Sequence, residues 1–143
     1  MPATEPERYL LDTSAILALT DQEEGFEKVE ELLDRAANGD IEVAICSMSL
    51  MEVFYITLQE QGEDRAARLI ALIKAWPVRW IYPDERTLLF AGRLKAFHRL
   101  SFADALIAGA AKLNESVLVH KDPEFEGIAE ELSLLALPYK RAK

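Results

Sequence analysis

Short apolar runs alternate along this chain with stretches of helical periodicity, and several of the runs end in an acid beside a helix-opening residue. Strands and helices in that alternation predict an α/β fold in three layers, α/β/α, with a central, mainly parallel sheet covered by helices on both faces. The 143 residues, half of them apolar, fit one domain over 1–143 with frayed termini at about 1–7 and 139–143. No apolar run approaches the length of a membrane span, and Met1 to Arg8 is acidic and proline-containing, unlike a signal peptide, so a cytoplasmic protein is expected.

Arg8 to Leu11 reads as a first strand that ends at Asp12, with Thr13 and Ser14 opening a helix over Ala15 to Leu19. Asp21 to Glu24 has the form of a capping box, and Phe26, Val29, Leu32, Leu33, Ala36 and Ala37 then recur at helical spacing until Asn38-Gly39. Ile41 to Ile45 is the second strand. A helix from Leu50 to Gln61 follows, opened by Ser49 with Glu52 at the third position of a capping box. Met48, Met51, Val53, Phe54, Tyr55 and Ile56 are denser there than one helix face needs, which predicts either a partner surface or a fully buried helix. Glu63 to Ala75 pairs with that helix across Gly62, and Pro77 stops it. Val78 to Tyr82 alternates as a strand, Pro83-Asp84 opens a helix with Leu88, Leu89, Ala91, Leu94 and Phe97 on its apolar side, and Leu132 to Leu137 forms a last strand before a basic end at Lys140, Arg141 and Lys143.

Between these lies the stretch that carries the chemistry. Ser101 to Ala111 is a small-residue helix with Asp104 in its first turn, and Val117 to Val119 is a short strand that delivers Asp122 into a loop before Pro123. Strand ends and helix starts share one edge of a parallel sheet, the edge where such folds place their ligands. Asp12, Glu52, Asp104 and Asp122 all fall there. Each alone has a structural explanation as a helix cap, a capping-box member or a turn residue; their convergence is what points to a site. Clustered carboxylates repel, and a hard divalent cation resolves the conflict. Mg²⁺ or Mn²⁺ takes oxygen ligands, and the sequence offers one cysteine and two histidines, so the pocket points there rather than to zinc. A cation so held lowers the pKa of bound water and stabilises charge on a phosphodiester, so metal-assisted phosphodiester hydrolysis is the chemistry that follows.

The net charge of −9 argues against unaided binding of a polyanion. Locally that reverses: Thr87 through Ala103 has no acid but carries Arg93, Lys95, His98 and Arg99, either a solvated helix face or a phosphate-contacting edge. Cys46, among apolar neighbours, reads as a buried, inert thiol.

Leu10 to Ile16, Ser49 to Val53, Ser101 to Ala108 and Val117 to Phe125 together resemble the successive acidic motifs of the PIN domain, most nearly of VapC-type toxins, over nearly the whole chain and in order. The resemblance implies a PIN-like fold and a Mg²⁺- or Mn²⁺-dependent endoribonuclease that leaves a 5′-phosphate and a 3′-hydroxyl on its RNA substrate. It further implies a homodimer and a VapB-like antitoxin as inhibitor. Carried over by motif, Asp12, Glu52, Asp104 and Asp122 form the acidic pocket, Thr13 or Ser14 orients the first aspartate, and Ser101 caps the helix that presents Asp104. Arg93, Lys95, Arg99 and His120 are candidate RNA contacts. His120 stands where the family often has threonine, which reads either as a phosphate contact or proton shuttle, or as a neutral surface substitution.

Two other readings remain at this stage. A haloacid-dehalogenase-like phosphatase would use Asp12 as nucleophile, but Ser14 stands where that family has its second aspartate. A non-catalytic PIN-like scaffold would bind a partner through Met48 to Ile56, and the presence of all four acids argues against it.

Overall fold

The structure is a computed structural model that describes residues 5–140; the outermost residues of both termini, including Arg141 and Lys143 of the basic end, lie outside the described residues. The order is β1 (Arg8–Leu11), α1 (Thr13–Thr20), α2 (Phe26–Ala37), β2 (Glu42–Cys46), α3 (Met48–Gln61), α4 (Glu63–Lys74), β3 (Arg79–Ile81), α5 (Glu85–Phe97), α6 (Phe102–Leu113), β4 (Val117–His120), a 3-10 helix (Pro123–Ile128) and β5 (Leu134–Ala136). The strands form one sheet in the order β3-β2-β1-β4-β5. Every pairing is parallel, with Leu11 level with Ile45 on one side and with Val119 on the other.

Alternation along the strands sends successive side chains to opposite faces. Leu10, Ala44, Ile81 and Leu118 join the buried residues of α5 and α6 in one core. Leu11, Val43, Ile45 and Val119 join those of α1 to α4 in the other. Both faces are covered, which is why β1 and β4 read as continuous apolar runs. Small residues let α6 lie close to α5: a Cβ placed on Gly109 would meet Ala91 Cβ at 3.3 Å. Cys46 is fully buried.

The chain runs from β1 outward to β3, then returns across β1 to lay down β4 and β5. The carboxyl ends of β1 and β4 therefore flank the point where the winding reverses, the crevice in which open α/β sheets bind ligands.

Two expected capping boxes do not form. Asp21 instead ends α1, and α2 starts at Phe26 after Gly25, whose φ is 95°. The intervening turn is held from elsewhere in the chain, because Lys121 Nζ donates to the carbonyls of both Glu24 and Pro138. Helix α3 starts earlier than Leu50, at Met48 after Ser47, which puts Ser49 and Glu52 inside the helix. Their side chains turn to Thr13 of α1 rather than to each other. Helix α3 is not fully buried either: Met51, Phe54 and Tyr55 are 57 %, 39 % and 43 % exposed. Near the termini, Glu7 carbonyl accepts from Glu42 N–H, Tyr139 hydroxyl donates to Glu126, and Lys140 pairs with Glu23 at 3.0 Å. Among the described residues no helix is long and apolar enough to cross a membrane.

Candidate metal centre

Asp12 leaves the sheet directly after Leu11, with its N–H still bonded to Val119 carbonyl, and caps α1 by accepting the Ala15 N–H at 2.9 Å. Ser14 hydroxyl donates to the same carboxylate at 2.7 Å and accepts the Lys121 N–H at 2.8 Å, so one hydroxyl joins the ends of β1 and β4. Asp12 is 2 % exposed. Burial pushes its pKa up to about 7; the Ser14 and Ala15 hydrogen bonds pull the other way, and the charges of Asp104 and Asp122 add to the rise.

Asp104 sits in the first turn of α6, whose N-terminus is capped by Ser101 hydroxyl accepting the Asp104 N–H at 3.1 Å. Its pKa is pushed up to about 6, first by burial, then by the charges of Asp122 and Glu52. Asp122 caps the 3-10 helix by accepting the Glu124 N–H at 2.9 Å. Carboxylate oxygens from Asp104, Asp122 and Glu124 lie within 4.8 Å of one another. Glu52 projects from α3 and accepts the Thr13 hydroxyl at 2.5 Å, while Thr13 also bonds Ser49 at 2.9 Å.

The structure thus brings Asp104 and Asp122 together, with Glu52 near enough to raise the pKa of Asp104 and Asp12 near enough to have its own raised by Asp104 and Asp122. Glu124 joins them without having been singled out in the sequence. Its signal was the spacing Asp122-Pro123-Glu124, which puts both acids at the start of one tight turn. None of the ion pairs among the described residues involves any of the five acids. No cationic side chain among the described residues pairs with them, and the all-oxygen donor set fits a hard divalent cation.

The basic run separates into parts. Arg93 and Arg99 are exposed, and Arg99 lies in the α5–α6 connection that leads to Ser101 and Asp104. Lys95 Nζ donates to Leu100 carbonyl at 2.9 Å, and His98 sits 3.6 Å from Glu131. His120 lies off the surface, against its readings as a phosphate contact and as a neutral surface substitution. It is fully buried, because it ends a strand covered on both faces and Phe125 and Tyr139 pack around its ring. Its ring therefore presents no exposed surface. Burial also holds its pKa below the usual histidine value. Beside Ser14 and Asp122 a cavity of about 540 Å³ opens, lined also by Leu17, Ile56, Gln61 and Tyr139.

A family model described as "PIN domain" matches residues 9–131. A comparison with curated protein sequences gives no match. Among solved structures, VapBC2 from Rickettsia felis bound to a DNA fragment from its promoter aligns with a TM-score of 0.74 at 20% identity, covering 92% of this chain and 99% of that one. DNA-bound VapBC from Salmonella typhimurium aligns with a TM-score of 0.72 at 20% identity, covering 91% and 98%. VapC20 from Mycobacterium tuberculosis, described as a sarcin–ricin loop cleaving toxin, aligns with a TM-score of 0.65 at 18% identity, covering 82% and 92%. At these identities the likeness is one of fold.

Proposed function

This chain belongs to the PIN domain family, and from that premise we propose that it is a Mg²⁺- or Mn²⁺-dependent endoribonuclease, the toxin of a VapBC-type toxin–antitoxin pair. The observation that carries the reading is the acidic cluster at the reversal point of the sheet, where Asp104, Asp122 and Glu124 offer oxygens within 4.8 Å of one another.

Asp12, Asp104 and Asp122, with Glu52 and Glu124, would hold the cation. When bound, the cation would lower the pKa of water and neutralise the charge that develops on the phosphodiester during hydrolysis. The protein's own groups prepare that site. Ser14 fixes the Asp12 carboxylate, Thr13 fixes Glu52, and Ser101 fixes the helix turn that presents Asp104. Burial and mutual repulsion leave Asp12 and Asp104 with pKa values of about 7 and about 6, so near neutral pH Asp12 keeps a share of its proton, which a cation displaces, while Asp104 is largely ionised. The cavity beside Asp122 gives a nucleotide room next to the carboxylates. Arg93 and Arg99, exposed before α6, are the candidate phosphate contacts on a protein whose net charge of −9 otherwise disfavours RNA.

The partner reading is a VapB-like antitoxin and a second copy of the chain. The solved structures with which this fold aligns include a toxin–antitoxin complex from Klebsiella pneumoniae, and α3 exposes Met51, Phe54 and Tyr55 as apolar surface for a homodimer. We further propose that the one domain spans 1–143 and acts in the cytoplasm.

The deciding experiment is cleavage of a mixed RNA pool with Mg²⁺ or Mn²⁺ and with EDTA, beside Asp104→Asn from the same preparation. Metal-dependent cutting that disappears in the variant supports the reading. Equal cutting by both proteins exposes a contaminant and removes it.

A further inference from the structure

His120 is fully buried, yet packing alone does not account for a histidine there. Its ring stands edge-on to Phe125, with centroids 5.1 Å apart, and lies 6.1 Å from the ring of Tyr139. Nδ1 accepts the backbone N–H of Asp122 at 3.2 Å. A ring nitrogen that accepts carries no proton, so the imidazole is the Nε2–H tautomer. That Nε2 is buried with no hydrogen-bond partner. A buried donor left unpaired opposes folding, so an apolar ring of the same outline would suit the core better.

The loop explains what the nitrogen does. Beyond β4 the chain leaves the sheet, and its N–H groups are taken up by side chains. The Lys121 N–H goes to Ser14, the Asp122 N–H to His120, and the Glu124 N–H to the Asp122 carboxylate, while Pro123 has none. The Asp122 carbonyl accepts the Phe125 N–H within the 3-10 helix at 3.2 Å, so the one bond that ties the Asp122 backbone back to β4 is its N–H to the buried His120 ring.

We propose that His120 is a positioning residue, whose Nδ1 anchors the Asp122 backbone so that the Asp122 carboxylate stays with those of Asp104 and Glu124 for a divalent cation. The inference rests on the reading of Asp122 as a ligand.

The test measures Mn²⁺ affinity by electron paramagnetic resonance for the wild type, Asp122→Asn, His120→Phe and His120→Asn, with thermal unfolding in EDTA alongside. His120→Phe keeps the ring and removes both nitrogens. It exchanges an unpaired Nε2–H for an unpaired Asp122 N–H, so it should unfold near the wild-type temperature yet bind Mn²⁺ about 10-fold more weakly, the lower end of what a lost outer-shell partner costs. His120→Asn places an acceptor near the Nδ1 position and should restore most of that affinity. Wild-type affinity in His120→Phe, with Asp122→Asn weakened, overturns the proposal alone; wild-type affinity in Asp122→Asn overturns the ligand reading on which it rests. Should His120→Phe not fold, ¹⁵N NMR of the wild-type ring decides. A protonated Nδ1 overturns the anchor, and an unprotonated one supports it.

Discussion

The Thr13 hydroxyl donates to the Glu52 carboxylate at 2.5 Å and thereby joins the first turn of α1 to α3. A hydroxyl has one proton, so its second contact, with Ser49 at 2.9 Å, must run from Ser49 to Thr13. Two hydroxyls in series therefore end on Glu52 and hold it at the carboxyl edge of the sheet. Thr13→Val keeps the shape and removes both bonds, leaving the fully buried Ser49 hydroxyl without its acceptor. The expected cost is about 1–3 kcal/mol in urea unfolding. A weaker Mn²⁺ site should accompany it; stability lost with Mn²⁺ affinity intact would show that the Thr13 link serves the fold only.

The acids predict how stability depends on pH. Asp12 and Asp104 titrate at about 7 and about 6 in the folded chain, against about 3.9 for an unfolded aspartate. Between those values the folded state binds more protons than the unfolded state, so stability falls as pH rises through the window. In EDTA the thermal midpoint should drop from pH 5 to pH 8, and Asp12→Asn should flatten the slope. Mn²⁺ should recover the loss at pH 8, where the carboxylates are ionised and repel. A midpoint that rises over the same range in EDTA would remove this account.

The sequence placed Asp12, Asp104 and Asp122 because each lies within three residues of an apolar run or a capping serine, and such signals are local. What it could not display was set by residues far along the chain. The partner of Glu52 is Thr13, 39 positions away, so a nearby Ser49 imitated a capping box. The burial of His120 depends partly on Tyr139 arriving from beyond β5. The Asp21 to Glu24 box fails because the buried Lys121 amine draws Glu24 carbonyl into a tertiary contact.

That same contact makes Gly25 a sensitive position. Its φ is +95°, and a Cβ there would stand 2.7 Å from Pro138 Cδ. Gly25→Ala meets backbone strain and a clash together, and should cost about 2 kcal/mol or more in urea unfolding. Gly39 also has positive φ, at +80°, but faces open space. Gly39→Ala then suffers the strain without the clash and should cost less. Equal losses at the two sites would show that the approach of Pro138 contributes nothing.

Helix α3 carries the prediction about assembly. Met51, Phe54 and Tyr55 are spaced three and four apart, so they lie on one helix face, and all three are exposed. The two cores of the monomer take other residues of this helix, Val53 in one and Met48 against the other, so the exposed face is not needed to fold the chain. Phe54→Lys should therefore leave the circular dichroism and the urea midpoint near wild type while shifting sedimentation from dimer to monomer. A charge buried opposite its own symmetry copy explains the direction, because a two-fold interface presents each substitution twice. If the wild type sediments as a monomer at concentrations where its RNA cleavage is full, the homodimer reading fails and the active unit is the single chain.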